Sequence, residues 1–163
     1  MHNPPMEPNE RDGAAVRFPP PLVYLLAVIA GGLLHAFVVP MPLPIATSVR
    51  VGGAAVAIAL GLAMVAGAIG LFRRTGQDPK PWKSTPEVIS SGVYKISRNP
   101  MYVGMSLLLA GIGIGWANGW LLVLLPPLWL VIYRTAIRHE EAYLERKFGD
   151  RYLEYKRSVR RWI

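Results

Sequence analysis

The sequence predicts an all-α integral membrane protein, with four transmembrane helices and a C-terminal amphipathic helix at the membrane interface. The chain is 52% hydrophobic, and its apolar residues form four long blocks that hold almost no charge. Its charged residues are crowded into the segments between and around these blocks. A soluble helix needs a polar face, whereas a membrane span needs about 18 or more mostly apolar residues, so this sorting indicates membrane spans.

Length and composition narrow the possibilities further. A chain of 163 residues predicts one domain. We expect residues 1–18, which are polar and rich in proline, to form a cytoplasmic tail, and residues 19–163 to form a single membrane domain. The chain has no cysteine, and its three histidines stand far apart, so we expect no disulfide, no thiol nucleophile and no metal site. The formal net charge is +8, and the basic residues lie beside the apolar blocks. This placement favours anionic lipid headgroups as partners over nucleic acid.

The first two spans are predicted at about 22–39 and 49–72. Three consecutive prolines open the first span, a position in which a helix tolerates proline. In the second span, Gly53, Ala57 and Gly61 recur every four residues. Small residues on one stripe allow close approach of helices in lipid, so this stripe is predicted to be a packing surface.

The last two spans are predicted at about 100–117 and 120–137, joined by the tight turn Asn118-Gly119. The pair Pro126-Pro127 lies inside the last span and removes backbone donors, so we expect a kink or local unwinding there. The charged segment 138–163 is predicted to be an amphipathic helix on the membrane surface. Gly149 is a point at which that helix can be interrupted.

Topology follows from counting the basic residues. Lys and Arg number two in the tail, one in the 40–50 turn, six in the central loop 73–98, none in the 118–119 turn and nine from Arg134 onward. Four spans place 17 of these 18 cations on one side of the membrane. The positive-inside rule then predicts that the central loop and both termini are cytoplasmic.

Residues 91–104 join the basic central loop to the third span and combine hydrogen-bonding groups with apolar chain. Arg98, Asn99 and Tyr102 offer directional donors at the interface, and Pro100 fixes the start of the span. These features are typical of a ligand site. An interfacial anchor, in which the arginine snorkels and the tyrosine joins an aromatic belt, is the alternative on these residues alone.

A second group, Arg134, Arg138, Glu140 and Glu141, lies at the cytoplasmic end of the fourth span. Carboxylates beside a bilayer are unfavourable unless they are paired or functional, although a solvated helix with intrahelical ion pairs is the alternative. The short 118–119 turn makes the third and fourth spans antiparallel neighbours. Both groups are therefore predicted to lie at the same depth and to face one pocket.

Together these motifs resemble the isoprenylcysteine carboxyl methyltransferase and phospholipid methyltransferase superfamily. The resemblance covers about residues 70–160 and preserves order and spacing. Its first part is Gly92-Val93-Tyr94, Arg98-Asn99-Pro100, Tyr102 and Gly104, and its second part is Glu140-Glu141, Leu144, Phe148-Gly149, Tyr152 and Tyr155. One position departs from the pattern, because Asn99 stands where histidine is common. An amide cannot titrate, so the side chain at this position can form hydrogen bonds but cannot transfer a proton.

The resemblance implies an S-adenosylmethionine-dependent methyltransferase in a bacterial inner (plasma) membrane, with a cofactor-site region over residues 91–160 and no Rossmann sheet. Methyl transfer is an in-line displacement that mainly needs alignment of donor and acceptor and exclusion of water. The cofactor-binding residues that the resemblance implies are Gly92, Val93, Tyr94, Arg98, Asn99, Pro100, Tyr102, Gly104, Glu140 and Glu141.

Catalytic roles fall on three residues in this interpretation. Arg134 aligns with an arginine near the acceptor and could orient a carboxylate with paired hydrogen bonds. An amine or thiol acceptor would need a base, for which Glu141 and Tyr94 are the candidates. The expected acceptor is a lipophilic small molecule or a lipid, because the pocket would open between membrane helices.

Two other functions share part of the pattern. A nicotinamide-dependent membrane reductase of the sterol-reductase-like type carries a similar Arg-x-Pro-x-Tyr motif. A non-catalytic membrane subunit would use both groups as interfacial anchors and would bind neither cofactor.

Overall fold

The computed structural model describes residues 13–16 and 18–163, and this part of the chain is helical, with a single isolated β-bridge between Pro42 and Asn118. Helix α1 covers Pro20–Leu33 and continues as a π-helical turn, Leu34–Val38. Helix α2 covers Thr47–Arg74. After the central loop, a 3₁₀ turn at Gly92–Lys95 precedes α3, which covers Pro100–Gly115.

The C-terminal half is one long helical path followed by a short helix. Its elements are α4 at Gly119–Val123, α5 at Leu125–Ile132, a π-helical turn at Tyr133–Ile137, α6 at Arg138–Phe148 and α7 at Asp150–Ser158. Gly149 separates α6 from α7 with a positive φ of 52°, a conformation that glycine adopts without strain.

The membrane-spanning character of the chain is confirmed. Within the described residues, three helices are long and apolar enough to cross a membrane: Pro20–Val38, Thr47–Arg74 and Gly119–Phe148. Helix α3 is apolar but has 16 residues, or about 24 Å of helix, against a hydrocarbon core of about 30 Å. The prediction of an all-helical integral membrane protein is therefore right, and the count of four spans stays a prediction.

The C-terminal half differs from the prediction in one way. The helix predicted to end near residue 137 continues to Phe148, so the first part of the charged segment extends the helix of the predicted fourth span. Beyond it Gly149 interrupts the charged segment, as the sequence allowed, and Asp150–Ser158 forms the separate helix α7. At the proline pair the helix is interrupted at Leu124 and resumes when Leu128 N–H donates to the Leu124 carbonyl at 3.0 Å.

Helices α2 and α3 pack through glycines. A Cβ on Gly104 would lie 2.8 Å from the Gly61 carbonyl, and a Cβ on Gly111 would lie 3.2 Å from the Ala54 carbonyl. Such distances leave room only for hydrogen. Gly53, which was predicted to share this stripe, faces open space, so the contact runs through Ala54 and Gly61 instead.

The start of the described chain packs against the central loop. Ala14 N–H donates to the Pro81 carbonyl at 3.0 Å, and Ala14 and Val16 are buried. These residues belong to the segment predicted to be a polar tail, and they are buried because their small apolar side chains join the hydrophobic cluster that contains Tyr24 and Tyr102. The rest of that prediction, at residues 1–12 and 17, lies outside the described residues.

Candidate active site

Arg98 ties the beginning of α3 to the C-terminal segment. Its Nη2 donates to Oε1 of Glu141 at 3.0 Å, and its Nη1 donates to the carbonyl oxygens of Lys156 at 2.8 Å and Val159 at 3.3 Å. Its backbone N–H donates to the Arg160 carbonyl at 3.0 Å. The Arg98 side chain is only 7% exposed, so these partners satisfy a buried charge.

Arg161 completes this network from the C-terminus. Its Nε and Nη2 donate to the two carboxylate oxygens of Glu141, both at 2.9 Å, in a bidentate pair. The hydrogen bond to Glu141 raises the pKa of Arg161 above its usual value. Its guanidinium also lies over the ring of Tyr133, 4.9 Å from the centroid. Both oxygens of Glu141 are therefore held by arginine.

The side chain of Asn99 holds the C-terminal segment by a hydrogen bond to a backbone carbonyl of that segment. Its Nδ2 donates to the Arg161 carbonyl at 3.0 Å, and the Ser97 hydroxyl donates to the same oxygen at 3.2 Å. The Asn99 N–H in turn donates to Ser97 Oγ at 3.0 Å. Asn99 thus acts as a hydrogen-bond donor, a role that a histidine ring N–H can also fill.

A cavity of about 320 Å³ lies between the start of α3, the helices α6 and α7, and the central loop. This volume lies within the range of pockets that bind small molecules. The polar part of its wall includes Arg98, Asn99, Glu140 and Glu141, and the apolar and aromatic part includes Pro20, Phe72, Trp82, Val88, Tyr94, Tyr152 and Tyr155.

Glu140 presents a carboxylate to this cavity in an environment unlike that of its neighbour. The Tyr102 hydroxyl donates a short hydrogen bond to Glu140 Oε1. Among the described residues no cation pairs with Glu140, whereas Glu141 pairs with both Arg98 and Arg161. The first carboxylate is therefore available to a ligand, and the second is engaged in holding the helices.

Tyrosines form another part of the cavity wall. The Tyr155 hydroxyl donates to the Tyr94 carbonyl at 2.7 Å, and the Phe72 ring meets the Tyr94 ring edge-on at 6.2 Å. Burial, and then the charge of Glu140, raise the pKa of Tyr94 well above its usual value, and burial raises the pKa of Tyr155 to about 12. Both phenols are therefore protonated at neutral pH, and Tyr94 is poorly suited to accept a proton.

The structure brings most of the predicted site residues together. Seven of them line the cavity: Tyr94, Arg98, Asn99, Pro100, Tyr102, Glu140 and Glu141. Gly92 and Val93 do not line it. They border a separate groove beside the end of α2, where a Cβ on Gly67 would lie 2.9 Å from Val93. Gly104 also lies away from the cavity, because it packs on α2.

Arg134 does not line the cavity. It lies on the exposed side of the helical path, in the π-helical turn between α5 and α6. In a regular α-helix, residues seven apart, such as Arg134 and Glu141, share a face. A π-helical turn holds an additional residue and rotates the following residues by about 100°. That rotation separates the two side chains.

Two residues of the site were missed from the sequence. Arg161 lies beyond the recognised motif, and nothing in its spacing points to Glu141. Gln77 is a buried amide on the cavity wall, and its only signal was its place just after a helix-ending glycine. As for metals, the part of the chain described here has no group of three or more histidine or acidic side chains placed to hold one.

Comparison with known proteins gives consistent matches. A family model described as "Phospholipid methyltransferase" matches residues 49–151, more than half of the chain. An uncharacterized protein of Haemophilus influenzae is 43% identical over 65 residues, which cover 39% of this chain and all of that protein.

The second relative has a named activity. The Protein-S-isoprenylcysteine O-methyltransferase of Saccharomyces cerevisiae is 39% identical over 80 residues, which cover 44% of this chain. The match spans only 30% of the yeast protein's length. The family match covers both helix α3 and the carboxylates of α6, so it includes the two groups that meet at the cavity. The chain therefore belongs to the phospholipid methyltransferase family, within the superfamily that also contains the isoprenylcysteine methyltransferases.

Proposed function

We propose that the protein is an S-adenosylmethionine-dependent methyltransferase that acts at the cytoplasmic membrane face on a lipophilic acceptor. The observation that carries this proposal is the carboxylate of Glu140, which faces a largely apolar cavity and has no cationic partner among the described residues. A carboxylate that faces an apolar cavity without a cation is unfavourable, so a positively charged ligand would complete the site.

The wall of the cavity suits this cofactor in three respects. Glu140 offers a negative charge for a sulfonium. Tyr94 and Tyr155 offer aromatic surface for a planar base. Gln77 and Arg98, which line the cavity, each carry a buried polar atom without a hydrogen-bond partner among the described residues, Oε1 and Nε respectively, and a polar ligand could supply one.

The residues of the chain would divide the work as follows. When bound, S-adenosylmethionine supplies a methyl group on a cationic sulfur. Glu140 would hold that cation in place, with its own carboxylate oriented by Tyr102. Arg98, Glu141 and Arg161 would fix α3, α6 and the C-terminal segment around the ligand, so that donor and acceptor are aligned. The tyrosine wall and the packed residues 13–16 would exclude water.

If the acceptor must be deprotonated, Glu140 is a better candidate for the general base than Glu141 or Tyr94. Both oxygens of Glu141 already accept hydrogen bonds from arginine, and the Tyr94 phenol is held protonated by burial. An amine or thiol acceptor must lose a proton, and Glu140 is the cavity carboxylate that no arginine among the described residues engages. A carboxylate acceptor is already ionised and would need no base.

The test is transfer of label from methyl-labelled S-adenosylmethionine into a native lipid and small-molecule extract, with purified protein in detergent. We expect a labelled lipophilic product from the wild type and at least a hundredfold less from Glu140→Gln. Binding of reduced nicotinamide dinucleotide instead, with no transfer of label, would favour the reductase alternative. Binding of neither ligand would favour a non-catalytic subunit.

A further inference from the structure

Gln77 is placed by the way α2 ends. The N–H of Gly76 donates to the Arg73 carbonyl at 3.2 Å, and the N–H of Gln77 donates to the Phe72 carbonyl at 2.8 Å. Gly76 has a φ of +68°, so these two bonds form the motif that commonly closes a helix at a glycine. The backbone of Gln77 is therefore fixed by the helix end, and its side chain is 93% buried on the cavity wall, since the residue is 7% exposed.

The orientation of the Gln77 amide follows from its neighbour. Nε2 donates to the Glu87 carbonyl at 3.4 Å. A carbonyl can only accept, so the opposite amide orientation would place two acceptors against each other. Oε1 must then point the other way, where it is buried and has no partner among the described residues. The unused atom is an acceptor, and its missing partner must be a donor.

The surroundings of Gln77 belong to the aromatic half of the cavity. Phe72, whose carbonyl holds Gln77, contacts the ring of Tyr94. Glu87, which accepts from the amide, precedes Val88, and Val88 packs in one buried cluster with Tyr152 and Tyr155. Gln77 is thus grouped with the wall that suits a planar base, and it lies outside the Arg98–Glu141–Arg161 network.

We infer that Gln77 is a cofactor-positioning residue, whose Oε1 accepts a hydrogen bond from an amino or hydroxyl group on the nucleoside half of S-adenosylmethionine. This inference rests on the proposed function. The nucleoside carries N–H and O–H donors beside an aromatic base. A donor would satisfy Oε1 of Gln77, and the base would contact the aromatic residues around it. Gln77 recognises a donor group on the ligand and takes no part in the methyl transfer.

The test compares Gln77→Met, which removes both amide atoms at similar volume, with Lys83→Met, which lies exposed in the same loop. Affinity is measured by calorimetry in detergent for S-adenosylmethionine and for S-adenosylhomocysteine, and thermal unfolding is measured without ligand. We expect Gln77→Met to weaken both ligands by the same factor, about fivefold to tenfold, because both carry the same nucleoside. Lys83→Met should bind both ligands like the wild type.

Stability without ligand separates a binding role from a structural one. Gln77→Met removes an acceptor that has no partner, which favours folding, and also the 3.4 Å hydrogen bond from Nε2 to the Glu87 carbonyl, which opposes it, so its unfolding temperature should stay close to that of the wild type. A lower unfolding temperature that accounts for the weaker binding would overturn the inference. Equal affinities in the wild type and Gln77→Met would overturn the role of Gln77 alone, whereas a wild type that binds neither ligand would overturn the proposed function as well.

Discussion

Nη2 of Arg98 lies 3.0 Å from Oε1 of Glu141, which joins the residues before α3 to the helix that follows the fourth predicted span. Both side chains are about nine-tenths buried. The two motifs of the sequence, 43 residues apart, thus meet in one ion pair. Arg161 adds the bidentate contact that closes the C-terminal segment onto it.

Replacing Glu141 by Gln should destabilise the protein strongly. The substitution keeps the shape of the side chain but leaves Arg98 buried without its counter-ion, which lowers the free energy of unfolding by about 3 kcal/mol. The measurement is denaturant unfolding in detergent micelles. Glu154→Gln, on the exposed side of α7, is the matched control and should change stability by less than about 0.5 kcal/mol. A Glu141→Gln variant as stable as this control would show that the ion pair does not hold the fold.

Asn99 should be replaceable by His but not by Ala. The amide donates to the Arg161 carbonyl, and an imidazole N–H can do the same, whereas alanine leaves that carbonyl without the donor. We expect Asn99→Ala to increase hydrogen–deuterium exchange over residues 159–163, with Asn99→His close to the wild type. Equal protection in Asn99→Ala would mean that the contacts of Ser97, Arg98 and Glu141 hold the segment without the amide.

Gly104 should tolerate no side chain, because it packs on α2 and lies away from the cavity. A Cβ there would lie 2.7 Å from Val65 Cγ2 and 2.8 Å from the Gly61 carbonyl. Gly104→Ala should therefore lower the free energy of unfolding by about 1–3 kcal/mol. Gly53→Ala, where a Cβ meets nothing within 4 Å, should not be destabilising. Similar losses in both variants would place the helix contact elsewhere.

Tyr155 should make the protein sensitive to alkali. Its pKa is about 12 in the folded state and about 10 when unfolded, so the folded state binds the proton more tightly. Its contribution to stability is complete below pH 10 and is lost as the pH rises from about 10 to 12. Tyr155→Phe should be less stable at pH 8, because the hydrogen bond to Tyr94 is lost, and should lose less stability between pH 9 and pH 11. Parallel pH profiles of the two proteins would contradict this role.

The sequence was sufficient for the helices and for the meeting of the two motifs. Charge sorting located the apolar blocks, and the 118–119 turn brought Arg98 and Tyr102 to the level of Glu140 and Glu141. Both results follow from rules that act over short range, namely helix length in lipid and connection length.

Arg134 and Arg161 could not be placed in the same way. The π-helical turn that rotates Arg134 away depends on tertiary packing, and the sequence from Tyr133 to Ile137 carries no signal for it. Arg161 reaches Glu141 only because α7 turns back at Gly149, and the direction of that turn depends on the contacts of Tyr152 and Tyr155. The place of Arg134 and the contact of Arg161 with Glu141 are therefore set by tertiary structure and not by local sequence.

The most direct test of the central claim is a calorimetric titration of S-adenosylmethionine into the wild type, Glu140→Gln and Arg134→Ala. The cavity residue and the exposed residue lie on the same helical path, so the pair is matched for position. We expect micromolar or tighter binding to the wild type and to Arg134→Ala, and binding to Glu140→Gln that is at least tenfold weaker because the counter-charge is lost. Equal affinity in the wild type and Glu140→Gln, or weakened binding only in Arg134→Ala, would contradict it.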